Sequence, residues 1–401
     1  MIKFRNYLKK CTVVFLVIIV IASNFCLTGC LDKNEIETFG FVVALGVDLG
    51  ESDEVIVSVQ ILKPNNDPKR DSSSDASQIE VYTCAGNSIY NALYNLSNRL
   101  SIPLKLSSNK YILVGRKFAE AGIQPVIDFS LRFNEMRPTN PILVTKERAL
   151  DILKIQESGE YISPSVISNL LKRQSYLCKA PITTNLEFAN DIKSESGVSV
   201  CGVLSVDKRM KKTHNNFVLS GSAVFKKDKL IGYMNEEETC GMQWIKGKVK
   251  LGDIVIHDKD KAKISLAILN SSSNLKPLIK DKSVNVTANI MVQSNIREVY
   301  ENKSESMDFN DNLDLIDELS KKQGKVIGDK VNEAISAAQY RLAADVFGFG
   351  DLLYREYPHD WENIKDHWNN IFPHINIKVN VSSQIKQTGD LSNVITDEEG
   401  N

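Results

Sequence analysis

Residues 284–292 read Val-Asn-Val-Thr-Ala-Asn-Ile-Met-Val, and apolar side chains occupy every second position. A period of two places alternate side chains on one face of an extended chain, so this stretch predicts a half-buried β-strand. The segment 375–381 alternates in the same way, with Ile or Val at each odd position. These two strands frame the C-terminal part of the fold.

A long helix is predicted between the two strands. Apolar residues recur at mostly three- and four-residue steps across residues 316–346, which is the period of a helix. Gly324 and Gly328 lie within this run and are expected to break or kink it. Gly348 and Gly350 are expected to stop it. Strand, helix and strand then form one α+β unit.

The segment upstream of this unit is predicted to be rich in strands. Asn270–Asn274 reads Asn-Ser-Ser-Ser-Asn and predicts a loop or hinge. Six apolar stretches precede it and read as consecutive antiparallel strands. They are Val198–Val206, Phe217–Phe225, Leu230–Met234, Met242–Val249, Ile254–His257 and Lys263–Leu269.

The first part of the chain interleaves strands and helices. Residues 40–62 predict a hairpin, and Lys63–Gln78, with its prolines and serines, predicts an exposed loop. The remaining candidates are a strand at Tyr111–Gly115 and helices at Ile89–Leu100, Lys117–Ala121, Gln124–Leu131, Lys146–Leu153 and Ser165–Lys172. Such interleaving predicts an α+β or α/β fold. We therefore expect domains at 30–195, 196–275 and 276–401, the last ending in a polar tail from Thr388.

Composition narrows the classes of function. The 401 residues include 49 Lys and Arg against 50 Asp and Glu, and 42% of the residues are hydrophobic. This is globular composition, and the length suggests two or three domains. The balanced charge disfavours binding to nucleic acid, which needs a basic surface. The composition also argues against a polytopic membrane protein.

The N-terminal end carries a secretory pattern. All four charges before residue 32 are basic, and they precede a charge-free run from Cys11 to Leu31. Its densest apolar part, Thr12–Ala22, is shorter than the roughly 20 residues that a membrane-spanning helix needs. A signal peptide over residues 1–29 is therefore predicted, with an uncleaved signal anchor as the alternative. Both alternatives put the rest of the chain outside the cytoplasmic membrane.

The run ends in Leu27-Thr28-Gly29-Cys30, which resembles the lipobox of bacterial lipoproteins. A thiol is the nucleophile that can take up a diacylglyceryl group, and small residues before it give a peptidase access to the Gly29–Cys30 bond. Two acyl chains supply the two hydrophobic attachments that stable anchoring needs. Cys30 is thus the predicted S-diacylglyceryl cysteine and first mature residue, with N-acylation left open.

Processing at Cys30 changes the charge and the cysteine inventory. The basic residues fall from 49 to 45 while all 50 acidic residues stay, so the mature chain is mildly acidic. Anionic headgroups would repel such a chain, and attachment should depend on the lipid and on protein partners. Four further cysteines, Cys84, Cys178, Cys201 and Cys240, allow three disulfide pairings, although buried free thiols are favoured.

No residue pattern indicates catalysis, a cofactor or a metal. His359, His367 and His374 are not three or four residues apart, so an exposed histidine-rich surface is favoured over a metal site. Trp361 and Trp368 are seven residues apart and would share one helix face, packed on the closing strand. G-x-S-x-G and H-E-x-x-H motifs are absent from the sequence. The ligand-binding residues stay unassigned.

Read together, these segments resemble the Ger(x)C family, the lipoprotein subunit of bacterial spore nutrient germinant receptors. The resemblance spans the mature chain, although Leu31 stands where the family usually has Trp. The motifs that carry it are Gly29-Cys30, Gly46-Val47-Asp48, Lys110–Gly115 with Ala119–Ile123, Leu219–Phe225 with Lys229–Gly232, Ala344–Gly350, Trp361, Trp368, Ile375–Val381 and Gly389.

The resemblance implies an extended, three-domain α+β ectodomain and a non-catalytic role. It implies anchoring on the outer face of the spore inner membrane and two integral-membrane partners, one of them permease-like. The complex would respond to small nutrients such as amino acids or sugars. The alternative is a lipoprotein solute-binding component of a transporter, whose two lobes would contain parallel sheets. An enzyme is the least favoured reading.

Overall fold

The computed structural model describes residues 12–19, 38–62, 79–157, 160–161, 164–174, 177–207, 217–257, 263–280, 283–300 and 313–387. The chain divides into two compact units, Met1–Phe39 and Gly40–Asn401. The predictions for Gly29, Cys30, the loop Lys63–Gln78 and the tail from Thr388 lie outside the described residues.

The first unit is described only by a helix over residues 12–19 and by residues 38–39. The apolar side chains of this helix, from Val13 to Ile19, are exposed. Among the helices that the structure describes, none combines the length and the apolar character that crossing a membrane requires.

The described part of the second unit contains sixteen strands. In chain order they are β1 Gly40–Leu49, β2 Val55–Leu62, β3 Ile79–Gly86, β4 Leu104–Lys105, β5 Ile112–Gly115, β6 Pro141–Thr145, β7 Gln156–Glu157, β8 Glu160–Tyr161, β9 Thr183–Thr184, β10 Val198–Val206, β11 Phe217–Lys226, β12 Lys229–Met234, β13 Asp253–His257, β14 Lys263–Lys280, β15 Ser283–Tyr300 and β16 Asn376–Gln387.

Eleven α-helices accompany these strands in the same described part. They are α1 Ile89–Leu100, α2 Arg116–Ala121, α3 Gln124–Arg132, α4 Ala149–Leu153, α5 Pro164–Gln174, α6 Asn185–Lys193, α7 Glu236–Ile245, α8 Leu313–Ser336, α9 Phe349–Glu356, α10 Pro358–Ile364 and α11 Trp368–Ile371. A π-helical turn, Ala337–Leu342, continues α8.

The larger sheet has the strand order β12-β11-β10-β6-β5-β1-β2-β3, with β4 on β1 and β9 on β6. Its centre is parallel, because β1 pairs with β5, β5 with β6, and β6 with β10 in that sense. Antiparallel strands extend it on both sides. Parallel neighbours need crossover connections, which the interleaved helices provide. The predicted hairpin at 40–62 and the mixed α/β fold are confirmed.

The smaller sheet has the order β13-β14-β15-β16. The apolar residues of the alternating stretch in β15 are buried on one face, as predicted. The predicted loop Asn270–Asn274 is wrong, because these residues lie inside the 18-residue strand β14 and pair with β15. One of their hydroxyl groups, Ser271 Oγ, also donates to the carbonyl oxygen of Val249 at 2.6 Å.

Helix α8 runs through Gly324 and Gly328, so the predicted break at these glycines is wrong. Both glycines face β16, where a Cβ on Gly324 would lie 3.6 Å from the carbonyl oxygen of Val381. Gln323 links α8 to the smaller sheet by hydrogen bonds, because Ser294 Oγ of β15 and Ser383 Oγ of β16 both donate to its Oε1. The helical run ends with Ala343 in the left-handed region, before Gly348.

The predicted strand Met242–Val249 is also wrong, because its first half, Met242–Ile245, belongs to helix α7 and the rest is not a strand. Asn235 and Glu238 form a capping box at the start of this helix, and its first turn is acidic. Both features favour a helix N-terminus. Every residue from Thr239 to Ile245 is buried, so the apolar run lacks the polar face that would identify a helix in the sequence.

The sheets do not follow the predicted domain boundaries at 195 and 275. Strands β10 to β12 belong to the larger sheet, whereas β13 and β14 belong to the smaller one. Sheet membership therefore changes between Met234 and Asp253. The three-domain division stays a prediction.

A disulfide joins Cys178 to Cys240, which are 62 residues apart in sequence. It connects the segment after α5 with α7. Cys84 and Cys201 are free and buried. The preference for buried free thiols is thus confirmed for two of the four cysteines and wrong for the other two.

Removing this disulfide is predicted to lower the free energy of unfolding by about 3 kcal/mol, because the crosslink restricts a long loop in the unfolded chain. The measurement is urea unfolding of the Cys178→Ala/Cys240→Ala double variant with and without reductant. Reductant should destabilise only the parent chain. Equal unfolding midpoints for the oxidised parent and the double variant would contradict the prediction.

Candidate functional site

Asp48, at the end of β1, is a buried carboxylate that caps a helix. Its two oxygens accept hydrogen bonds from the backbone N–H groups of Ala149 and Leu150, at 2.8 and 2.9 Å. These donors belong to the first turn of α4, where unpaired N–H groups favour a negative charge. Burial raises the pKa of Asp48, and the two N–H donors oppose that rise.

Two glycines make room for this cap. A Cβ on Gly115 would overlap Asp48 Oδ1, and a Cβ on Gly46 would lie 2.7 Å from Leu153 Cδ1. Glycine at these positions lets the backbones of β1 and β5 approach α4 closely. The motifs Gly46-Val47-Asp48 and Lys110–Gly115, distant in sequence, therefore meet at one structural junction.

Asp345 organises a second junction, at the turn before α9. Its carboxylate accepts hydrogen bonds from the N–H groups of Gly348, Phe349 and Gly350 at 2.7 to 3.0 Å, and from Trp368 Nε1 at 3.2 Å. Gly348 has φ +81° and so occupies the left-handed region that favours glycine. Burial raises the pKa of Asp345, partly offset by these donors.

The turn around Asp345 is tied to the segment that leads into β10. Asp351 accepts from Ser194 Oγ, Ser196 Oγ and the N–H of Glu195, at 2.8 to 3.2 Å. Trp361 Nε1 donates to Glu195 Oε2 at 2.8 Å. These bonds join residues more than 150 positions apart and connect the C-terminal helices to the larger sheet.

The aromatic and histidine residues singled out in the sequence separate in the structure. Trp361 and Trp368 are buried and pack edge to face, with ring centroids 5.3 Å apart. They lie on α10 and α11 rather than on one continuous helix. His359, His367 and His374 are exposed and lie on three different helical segments.

Two protein-family models match successive parts of the chain. A family model described as "Spore germination protein N-terminal domain" matches residues 32–206. A second, described as "Spore germination B3/ GerAC like, C-terminal", matches residues 220–389. Together they span nearly all of the chain after Cys30. The chain belongs to the Ger(x)C family.

Relatives match this Ger(x)C chain over nearly its whole length. Spore germination protein KC of Bacillus subtilis (strain 168) is 24% identical, covering 96% of this chain and 98% of the relative. Spore germination protein YndF of the same organism is 26% identical, covering 93% and 96%. Spore germination protein B3 is 22% identical, covering 90% and 95%.

A solved structure supports the fold of the Ger(x)C chain. The crystal structure of the GerBC protein aligns with a TM-score of 0.53 and 17% identity, covering 88% of this chain and 99% of that one. This likeness confirms the mixed α/β fold. The gap between the two family models, residues 207–219, runs from the end of β10 into the start of β11, and these two strands pair in one sheet.

The structure gives the Ger(x)C motifs a physical role that the sequence could not supply. Their carboxylates and glycines form junctions between distant segments, with Asp48 and Asp345 fully engaged by donors. The bonds from Asp351 to residues 194–196 were missed because serine and glutamate before a strand carry no distinctive sequence signal.

Replacing Asp345 with Ala is predicted to destabilise the fold by about 3 kcal/mol or more, because four donors lose a charged acceptor. The measurement is urea unfolding followed by tryptophan fluorescence. Asp366→Ala, which removes an exposed carboxylate nearby, should change stability by no more than about 0.5 kcal/mol. A similar effect of both substitutions would contradict the cap assigned to Asp345.

Replacing Gly115 with Ala is predicted to displace Asp48 from α4 and cost about 1 to 3 kcal/mol, the usual range for overpacking. Gly328→Ala is the matched control. Its Cβ would lie 3.9 Å from Val381 Cγ2, so the better helix former should stabilise α8 by up to about 1 kcal/mol. Thermal unfolding of both variants measures the two effects. A Gly115→Ala variant with the melting temperature of the parent would refute the close contact between Gly115 and Asp48.

Proposed function

We propose that this Ger(x)C chain is the lipid-anchored, non-catalytic subunit of a spore nutrient germinant receptor. The observation that carries the proposal is the position of the family match, which begins at residue 32, two residues after Cys30. The predicted leader with its lipobox therefore lies directly before the segment that the family model matches. The full-length similarity to spore germination proteins supports the same role.

The proposed anchor is a diacylglyceryl group on the thiol of Cys30, after cleavage at Gly29. Two acyl chains give stable attachment where one gives only marginal binding. The exposed apolar helix over residues 12–19 has the length of a signal-peptide core. We place the mature chain on the outer face of the spore inner membrane, with membrane contact through the lipid.

The chemistry of the buried carboxylates supports a non-catalytic role. Asp48 and Asp345 are each 3% exposed, and their carboxylate oxygens accept hydrogen bonds from backbone N–H groups. A catalytic acid or base must reach a substrate proton. These two carboxylates instead hold distant segments of the chain together. That role suits a subunit that takes part in receptor assembly or signal transmission rather than in the conversion of a substrate.

The proposed partners are two integral-membrane subunits, one of them permease-like. The chain would contribute receptor assembly or signal coupling through its exposed ectodomain. Deletion of the gene, scored for germination against a panel of nutrients, tests this role. Loss of the response to at least one nutrient, restored by the parent gene, is expected. Normal germination with every nutrient known to act through the receptor would refute it.

Cys30→Ala is predicted to abolish lipid attachment and to impair germination, because alanine has no thiol to acylate. The measurements are labelling with radioactive palmitate, membrane fractionation and germination of the complemented deletion strain. The variant should accumulate as an unlabelled precursor.

Cys26→Ala is the matched control, because it removes a thiol four residues earlier and keeps the lipobox. It should be labelled and should germinate like the parent. Normal palmitate labelling of the Cys30→Ala variant, or loss of labelling in both variants, would overturn Cys30 as the attachment site.

A further inference from the structure

The outer face of the smaller sheet is open to solvent. In β15 the alternate apolar residues from Val284 to Val292 are buried in the core, so the positions between them point the other way. On that side Leu278 of β14 and Met291 of β15 are 51% and 58% exposed. Within the described part of the chain, no element packs over this side. We call the outward residues of 272–280, 283–291 and 376–386 the lysine face.

All the charges on the lysine face are positive. Its described residues include four lysines and no carboxylate, although the whole chain has 49 basic and 50 acidic residues. Each of these lysines is exposed, and none forms an ion pair in the part of the chain that the structure describes. They are Lys276, Lys280, Lys378 and Lys386. The face is therefore a basic surface on a chain of balanced charge.

Strand pairing fixes the positions of these lysines. Lys276 of β14 lies opposite Thr287 of β15, which lies opposite Lys378 of β16. Two strand spacings put the Cα atoms of the two lysines about 10 Å apart. One row along, Asn380 Nδ2 donates to Asn289 Oδ1 at 2.9 Å. The amides of the face thus satisfy one another, whereas its ammonium groups have no charged partner among the described residues.

The C-terminal end of the sequence carries the opposite charge. Residues 388–401 contain four acidic residues and no Lys or Arg. They follow directly after β16, which ends at Gln387 and contributes Lys386 to the lysine face. The acidic residues are Asp390, Asp397, Glu398 and Glu399. The basic face and the acidic segment are therefore adjacent in the chain and equal in the number of charged side chains.

The acidic segment is long enough to reach across the face. An extended chain spans about 3.3 Å per residue, so the distance from Gln387 to Asp397 can be about 33 Å. Lys378 lies about 26 Å before Lys386 along β16. The acidic triplet that begins at Asp397 can therefore reach the row of Lys276 and Lys378. Covalent attachment also gives the segment an effective concentration in the millimolar range, which a free anion would have to exceed.

We propose that the acidic segment 388–401 docks on the lysine face of the smaller sheet through ion pairs between its carboxylates and the four lysines. Exposed ion pairs are individually weak, but several pairs on one tether act together. The docked segment reduces the repulsion among the lysines and closes the face to other anions. Salt weakens the contact, because it screens exposed charges.

The inference goes beyond the receptor-subunit proposal and does not rest on it, because docking is measured on the isolated chain. A chain whose lysine face is occupied but which is dispensable for germination would refute the proposed function alone. A chain that is required for germination but whose lysine face is unoccupied would refute the docking alone.

The test is the rate at which an N-hydroxysuccinimide ester acylates each lysine of the purified full-length chain, read by mass spectrometry. The parent is compared with a neutral-segment variant that keeps the chain length and all of β16. At low salt the four lysines of the face should react about fivefold more slowly in the parent. Equal rates in the two chains would overturn the proposal. The variant is Asp390→Asn/Asp397→Asn/Glu398→Gln/Glu399→Gln.

Two controls separate docking from general effects of the substitutions. Lys117 and Lys229 are exposed on α2 and β12 and should react at the same rate in both chains. Leu391→Ser changes the segment but keeps its four charges, so its lysine face should be protected as in the parent. Circular dichroism checks that each variant is folded. Loss of protection in Leu391→Ser would show that apolar contact holds the segment and would refute the ion pairs.

Salt and chain concentration identify the occupant of the face. In about 1 M salt the Debye length falls to about 3 Å, and the protection of the parent should disappear. The protection should not depend on chain concentration, because the segment and the face belong to one molecule. Protection that grows with chain concentration would assign the face to the segment of a second copy and overturn the intramolecular contact.

Anionic lipid headgroups carry the same sign of charge as the acidic segment. Phosphatidylglycerol vesicles are therefore added to the parent at low salt. Because its face is already occupied, the acylation rates of the four lysines should not change. Lysines that become protected in the parent only when vesicles are present would assign the face to a lipid surface and overturn the segment as its occupant.

Discussion

A buried carboxylate must find hydrogen-bond donors, and this requirement holds the two sheets of the protein together. Asp345 gathers three backbone N–H groups and the indole of Trp368, which shapes the turn before α9. Asp351, six residues later, then binds the segment that enters β10. Together with the bond from Trp361 Nε1 to Glu195, this pair attaches the C-terminal helices to the larger sheet, and charged hydrogen bonds are strong in a buried setting.

The same principle explains why the family motifs contain glycine beside acidic residues. Gly115 leaves the space that Asp48 occupies, and Gly350 lies against Trp361 and Trp368, where a Cβ would approach both rings at 3.0 Å. At both motifs a larger side chain in place of glycine would overlap its neighbours. These junctions tie distant segments of the chain to one another.

Much of the fold could be predicted where the spacing of apolar residues has a clear helical or strand period. The hairpin at 40–62, the alternation in β15 and the helices near 89–132 follow from periodicity. The errors arose where tertiary contacts override local preference. Gly324 and Gly328 stay helical because they face β16, the serines at 271–273 pair with a long partner strand, and the buried run in α7 has no polar face.

By itself, the sequence determined most of the elements and the family, and it predicted the leader with its lipobox at Gly29-Cys30, because these features depend on residues close together in the chain. Only the tertiary structure decided that Cys178 pairs with Cys240, that β10 to β12 join the larger sheet, and that Lys276 and Lys378 lie on one face of the smaller sheet. The reason is that these relations join residues tens of positions apart, which only the folded chain brings within reach of one another.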